Sequence, residues 1–196
     1  MLNVVFTPHM RLLILLISIH FSLISSSGYA STFSGIISKK KSQIVLIDDN
    51  NDEAYILVSN ALVISNNLSK LSSGDYVSLD AAVSAKKYSL TVKAINYIGL
   101  KSLLGTWVGD DSYCYNFISF TEFVVSNLVG EKICASPTTS ALTYTINPGS
   151  KTWTMLISNE VTSYVGDLKL KSPVSAQIEL FNSETGVALK ALNLKR

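Results

Sequence analysis

The sequence predicts an all-β protein: two small β-barrel or meander modules behind a cleaved signal peptide. Three observations carry this expectation. Almost every segment after Ser31 alternates apolar and polar residues in short runs. β-Branched and aromatic residues dominate those runs, as half-buried pleated strands require. No long stretch repeats apolar residues at i, i+3, i+4 and i+7, and only a helical turn around Ile64–Leu71 is expected.

Composition sets the outer limits. At 196 residues the chain holds one large domain or two small ones. With 47% hydrophobic and 15% charged residues it is no disordered charged tail. The 16 Lys and Arg barely exceed the 14 Asp and Glu. A nucleic-acid grip built on phosphate neutralisation lacks the cations it needs, so no nucleic-acid partner is expected.

Residues 1–30 read as the signal peptide. Arg11 supplies the positive charge, no acidic residue is present, and Leu12–Ile19 forms the apolar core. Gly28 and Ala30 are the small residues at −3 and −1 of a cut after Ala30. The apolar run before the serines, interrupted by His20, is shorter than the ~20 residues a bilayer span needs, which favours cleavage over a retained anchor. The expected location is periplasmic or secreted. Cleavage removes His9 and His20, the only histidines, and Arg11. The remainder holds 16 less Arg11, or 15, cationic side chains against 14 anionic ones. Without imidazole there is no Ser-His-Asp triad, Cys-His pair, His base or His-ligated metal. Glu122, Glu179, Asp80 and Asp167 are available for carboxylate chemistry, but no two form a recognisable motif. The expectation is therefore no enzyme, no cofactor and no metal. Asp48, Asn50 and Asp52 have the D-x-N-x-D spacing of a calcium loop. Glu53 stands where such a loop needs Gly, so a solvated acidic turn is expected.

Cys114 and Cys134 are the two cysteines. An oxidising compartment favours a disulfide over two buried thiols. For a loop of this size the chain-entropy model gives ~3 kcal/mol.

The first module spans residues 31–100. Phe33–Ile37, Gln43–Ile47, Ala54–Val58, a Leu62–Ile64 strand or turn, the run from Leu68 to Val83, and Tyr88–Ile98 are its elements. On the last strand Leu90, Val92, Ala94 and Asn96 are expected to share one face. The basic turns Lys39-Lys40-Lys41 and Lys86-Lys87 can share one end and touch an anionic envelope surface or acidic glycan. Asn67-Leu68-Ser69 is a glycosylation sequon if the host route glycosylates. Leu68-x-x-Leu71-x-x-Gly74-Asp75-x-Val77, followed by a strand, a turn and Leu90-x-Val92-x-Ala94-Ile95, resembles the back half of a small OB-fold barrel. There Gly permits the turn dihedral and Asp bonds local amides.

The second module spans residues 103–196. Tyr113–Phe117, Thr121–Val125, Leu142–Ile146, Thr152–Ile157, Ala176–Phe181 and Val187–Leu194 read as strands. Asn147-Pro148-Gly149-Ser150 and Asn182–Gly186 read as hairpin turns. Short strands at this spacing predict a meander or small up-and-down barrel. Gly105-x-Trp107 on the first strand, the hairpin meander and a basic residue on the last strand are similar to lipocalin-like (calycin) domains. The resemblance implies that Trp107 plugs one barrel end with Lys190, Lys195 or Arg196 lying across it.

Tyr113, Tyr115 and Phe117 alternate onto one strand face. With Trp107 and Trp153 they are the candidate ligand-binding residues, either as barrel core or as a cavity wall. The leading expectation is an exported, non-catalytic binding protein for a protein, glycan or small apolar ligand. A structural subunit of an envelope assembly, or an inhibitor of an envelope or foreign hydrolase, are the alternatives.

Overall fold

The computed structural model describes residues 30–196 apart from 85, 87, 131, 132, 138, 139 and 160. The expected leader through Tyr29, with His9, His20 and Arg11, lies outside the described residues, as does Lys87.

The fold class is all-β, as the alternation predicts. The chain runs β1 (Ser31–Lys40), β2 (Gln43–Asp48), β3 (Ala54–Val58), helix α1 (Leu62–Lys70), β4 (Tyr76–Val83) and β5 (Ser89–Gly99). A 3₁₀ turn at Lys101–Leu103 leads into β6 (Gly105–Gly109), β7 (Tyr113–Phe117), β8 (Glu122–Val129) and β9 (Ile133–Cys134). Then follow β10 (Leu142–Pro148), β11 (Trp153–Ser158), β12 (Ser163–Ser172), β13 (Ser175–Asn182) and β14 (Ala188–Lys195).

Two rings of strands result. In the first, β1 pairs with β2 and β4, β2 with β3, and β4 with β5, all antiparallel. The parallel pairing of β3 with β5 closes the ring, and α1 connects β3 to β4. In the second, β6 to β8 and β10 to β14 form a closed antiparallel barrel of eight strands, with β9 as an added hairpin on β8.

Several expectations are corrected. Leu62–Ile64 belongs to α1 and not to a strand. The helix buries only Leu68 and leaves Leu62 and Val63 in solvent, so it has little apolar stripe to read. On β5, Ala94 and Asn96 leave the inner row, because register shifts opposite Ser78–Leu79 and Asp80–Ala81 turn Ile95 and Ile98 inward instead. Asn96 Nδ2 donates to Asp80 Oδ1 on the outer face. β12 is an element the pattern did not suggest: Gly166 interrupts its inward row of Tyr164, Leu168 and Leu170. Gly166 fits there because a Cβ would stand 3.1 Å from Ile178 Cγ2.

The two rings share one apolar core, from Leu46, Val77 and Leu90 through Leu100 and Leu103 to Trp107, Ile146 and Leu194. Burying a side chain of this size contributes roughly 1.5–3 kcal/mol. The β7–β8 loop docks onto the first ring. Phe120 stacks on Tyr76 at 5.8 Å between centroids, over Gly99, where a Cβ would lie 2.6 Å from the Phe120 ring. Tyr97 Oη donates to the Phe120 carbonyl at 2.5 Å. Burial pushes that hydroxyl up to about 12, so it stays a donor at any ordinary pH.

Candidate functional site

The eight-stranded barrel contains an apolar cavity of about 110 Å³. Its floor is Phe117, Phe123, Met155, Ile157, Ile178 and Leu192, all buried. Its rim is Tyr115, Val125, Leu142, Tyr164 and Leu180, all partly exposed. Seven strands thus contribute one or two inward residues each, the period-2 arrangement a closed barrel imposes. Phe117 and Phe123 stack at 5.0 Å, and Tyr144 meets Phe117 edge-on at 5.3 Å, which rigidifies the floor.

The opposite end is closed. Trp107 is fully buried, and its Nε1 donates to the Leu103 carbonyl at 2.8 Å. The Arg196 guanidinium lies 4.1 Å from the Trp107 ring centroid and donates to the Ser102 and Leu104 carbonyls. Of the three cations considered, Arg196 takes this place.

At the rim, Asp111 gathers three donors. Its Oδ2 accepts from Lys190 Nζ at 2.6 Å and Tyr115 Oη at 2.7 Å, and its Oδ1 accepts from the Tyr113 amide at 3.3 Å. Burial pushes the Asp111 carboxyl up, but Lys190, Tyr115 and the Tyr113 amide outweigh it and hold it below the ordinary value. Burial, and then the bond to Asp111, pushes the Tyr115 hydroxyl up. Glycine at 109 makes the room: a Cβ there would stand 2.3 Å from Asp111 Oδ1 and 2.9 Å from Tyr115 Cε2.

The structure brings Tyr115 and Phe117 together on the cavity wall. Tyr113 sits at the strand start, 41% exposed and outside the cavity lining. Trp107 plugs the closed end, and Trp153, half-buried at the start of β11, packs against the core without lining the cavity. The Cys114–Cys134 disulfide is present, with Cα atoms 5.8 Å apart. It ties β9 to β7 on the outer face. Such a bond is compatible with an oxidising extracellular or periplasmic location.

Ser42 of the β1–β2 turn and Lys86 of the β4–β5 turn border one depression with Val58 and Ser65, so the basic turns adjoin. Lys39 Nζ is engaged by the Ser69 carbonyl at 2.7 Å. In the acidic turn Asn50 Nδ2 donates to Asp48 Oδ1, so its polar groups pair with each other. Among the described residues no cluster of three His, Cys, Asp or Glu side chains is placed to hold a metal ion.

No protein-family model, no curated protein and no solved structure matches the chain.

Proposed function

We propose that this chain is an exported, non-catalytic binding protein that takes the small apolar end of a ligand into its eight-stranded barrel. One observation carries the reading: a concave space with an apolar floor at the open end of a closed barrel, walled by residues of seven strands. Binding sites of this kind are concave and apolar with few polar groups, and occur in the mouths of β-barrels. At about 110 Å³ the space suits a short chain or small ring; an engineered apolar cavity of ~150 Å³ takes benzene. The likeness to a calycin barrel supports the same reading: strand order, Trp107 plug and Arg196 cover agree with it. The ring β1-β2-β3-β5-β4, with its helix between β3 and β4, supports an OB-like first module. Export is supported by the leader-like residues 1–30 and the disulfide.

Native mass spectrometry of gently purified protein tests the reading. A bound small molecule that disappears in Met155→Trp, which fills the floor, is the expected result. An adduct that survives the substitution would place the ligand elsewhere.

A second reading, an accessory subunit of an envelope assembly, is favoured by Leu62 and Val63, which stand 75% and 70% exposed side by side on α1. Stable co-purification with a larger complex, abolished by Leu62→Ser with Val63→Ser, would support it.

A further inference from the structure

We propose that the barrel cavity takes a short, neutral chain headed by one hydrogen-bond acceptor, such as a ketone, aldehyde or ester, with Lys190 as the donor at its rim. The inference rests on the reading of the cavity as a ligand site and names the ligand's class.

The row of β14 carries the first step. Leu192 and Leu194 are buried on the barrel's inner face. Lys190 is the next residue of that row, and its register partner across the sheet is Leu180, which lines the cavity rim. Residues directly opposite on paired strands share a face. A lysine therefore continues this inner row at the barrel mouth, exposed and next to, though not among, the residues that line the cavity.

Hydrogen-bond capacity carries the second step. An ammonium has three donors and no acceptor. Lys190 uses one, on Asp111 Oδ2, and its side chain remains 46% exposed. Asp111 is more fully engaged: it accepts from Lys190, Tyr115 and the Tyr113 amide, and only 9% of its side chain is exposed. The Lys190–Asp111 corner of the rim therefore has donors to offer a guest and little free acceptor capacity.

Charge carries the third. Asp111 already balances Lys190, and this is the one ion pair among the described residues. A carboxylate guest brings a second negative charge beside Asp111, and an ammonium guest meets a carboxylate already engaged. A neutral oxygen acceptor satisfies a spare Lys190 donor without either cost. The cavity volume of about 110 Å³ then limits the tail to roughly five carbons, judged against benzene in ~150 Å³.

Lys190 also bridges a short seam. β14 and β6 share only the register pairs Leu194↔Gly109 and Lys195↔Val108. A purely structural role would change stability without changing ligand preference, so the test reads preference.

Full-length protein is titrated at neutral pH with 2-pentanone, pentanoate and n-pentane. The methyl resonances of Ile178, Leu180 and Leu192 report occupancy. The expected result is 2-pentanone binding ahead of pentanoate. Lys190→Met should weaken 2-pentanone about three- to tenfold, the worth of one hydrogen bond, and leave n-pentane within about twofold. Lys190→Arg, which keeps donors at the rim and guards against a folding defect in the Met variant, should retain most of the 2-pentanone affinity. Equal 2-pentanone affinity in wild type and Lys190→Met, with n-pentane still bound, would overturn the headgroup assignment while leaving the cavity reading intact. Pentanoate binding tightest would overturn it in favour of anion recognition. Binding of none of the three would remove the cavity reading and this inference with it.

Discussion

Arg196 lies over the indole of Trp107, its guanidinium carbon 4.1 Å from the ring centroid. The contact joins the end of the barrel to the joint before it, because Arg196 also donates to the carbonyls of Ser102 and Leu104. Trp107 faces the same joint through its bond to Leu103. Cation–π attraction at a site this exposed contributes about 0.5–1 kcal/mol, and the carbonyl bonds add to it. Arg196→Ala should therefore cost about 1–2 kcal/mol in urea unfolding, and Arg196→Lys should recover only part. Trp107→Phe, which removes a buried donor and leaves a void, should cost about 2–4 kcal/mol.

The disulfide pins a hairpin that contributes little pairing of its own. β9 pairs with β8 only at Leu128↔Cys134 and Val129↔Ile133. Replacing Cys114 and Cys134 by Ser should lower stability by about 3 kcal/mol, the chain-entropy figure for a separation of 20 residues. Hydrogen exchange should then accelerate at the amides of Leu128 and Ala135, whose partners are Ser112 and Asn127.

Two carboxyls give opposite pH dependences. Asp111 is held below its ordinary value, so the stability it contributes is present above the ordinary carboxyl range and is lost as pH falls through its folded value. Asp75 is raised, burial first, although it accepts from the Ser72 and Lys101 amides. Its contribution is fullest below the ordinary carboxyl value and is lost as pH rises through its folded value. Urea midpoints measured from about pH 3 to pH 7 should show Asp111→Asn most harmful near neutrality, with the gap to wild type closing below about pH 4. Asp75→Asn should show the reverse trend.

Gly109→Ala tests the crowding at the rim. The added methyl collides with Asp111 and Tyr115 and should cost about 1–3 kcal/mol, as overpacking does. The Tyr115 hydroxyl should titrate at lower pH than in wild type as its bond to Asp111 is lost, read by ultraviolet absorbance.

The joint between the rings depends on Phe120. It stacks on Tyr76 and fills the space over Gly99. Phe120→Ala should make limited proteolysis cut near residues 100–105, whereas the wild-type chain should resist there because Leu100 and Leu103 are buried.

Much of the architecture was legible in the sequence. β3 and β7 occupy the predicted residues, since alternation and β-branching act within a strand. Tyr115 and Phe117 were legible as a wall for the same reason. The Lys190–Asp111–Tyr115 group was not, because barrel closure joins residues 79 apart in sequence and no local pattern records that. Met155 and Ile178, which also line the cavity, read as ordinary strand residues for the same reason. Tyr113 shares a row with Tyr115, yet periodicity does not say where a strand passes the rim. β12 was hidden by Gly166, whose missing side chain erases the apolar signal at the position where packing demands it.

Xenon, an apolar atom that enters dry cavities, probes the ligand space inside the barrel. Crystals of the protein pressurised with xenon should show one atom between Met155, Ile178 and Leu192, absent in Met155→Trp. An empty or water-filled space at that point in the pressurised wild-type crystal would contradict an apolar ligand site in the barrel.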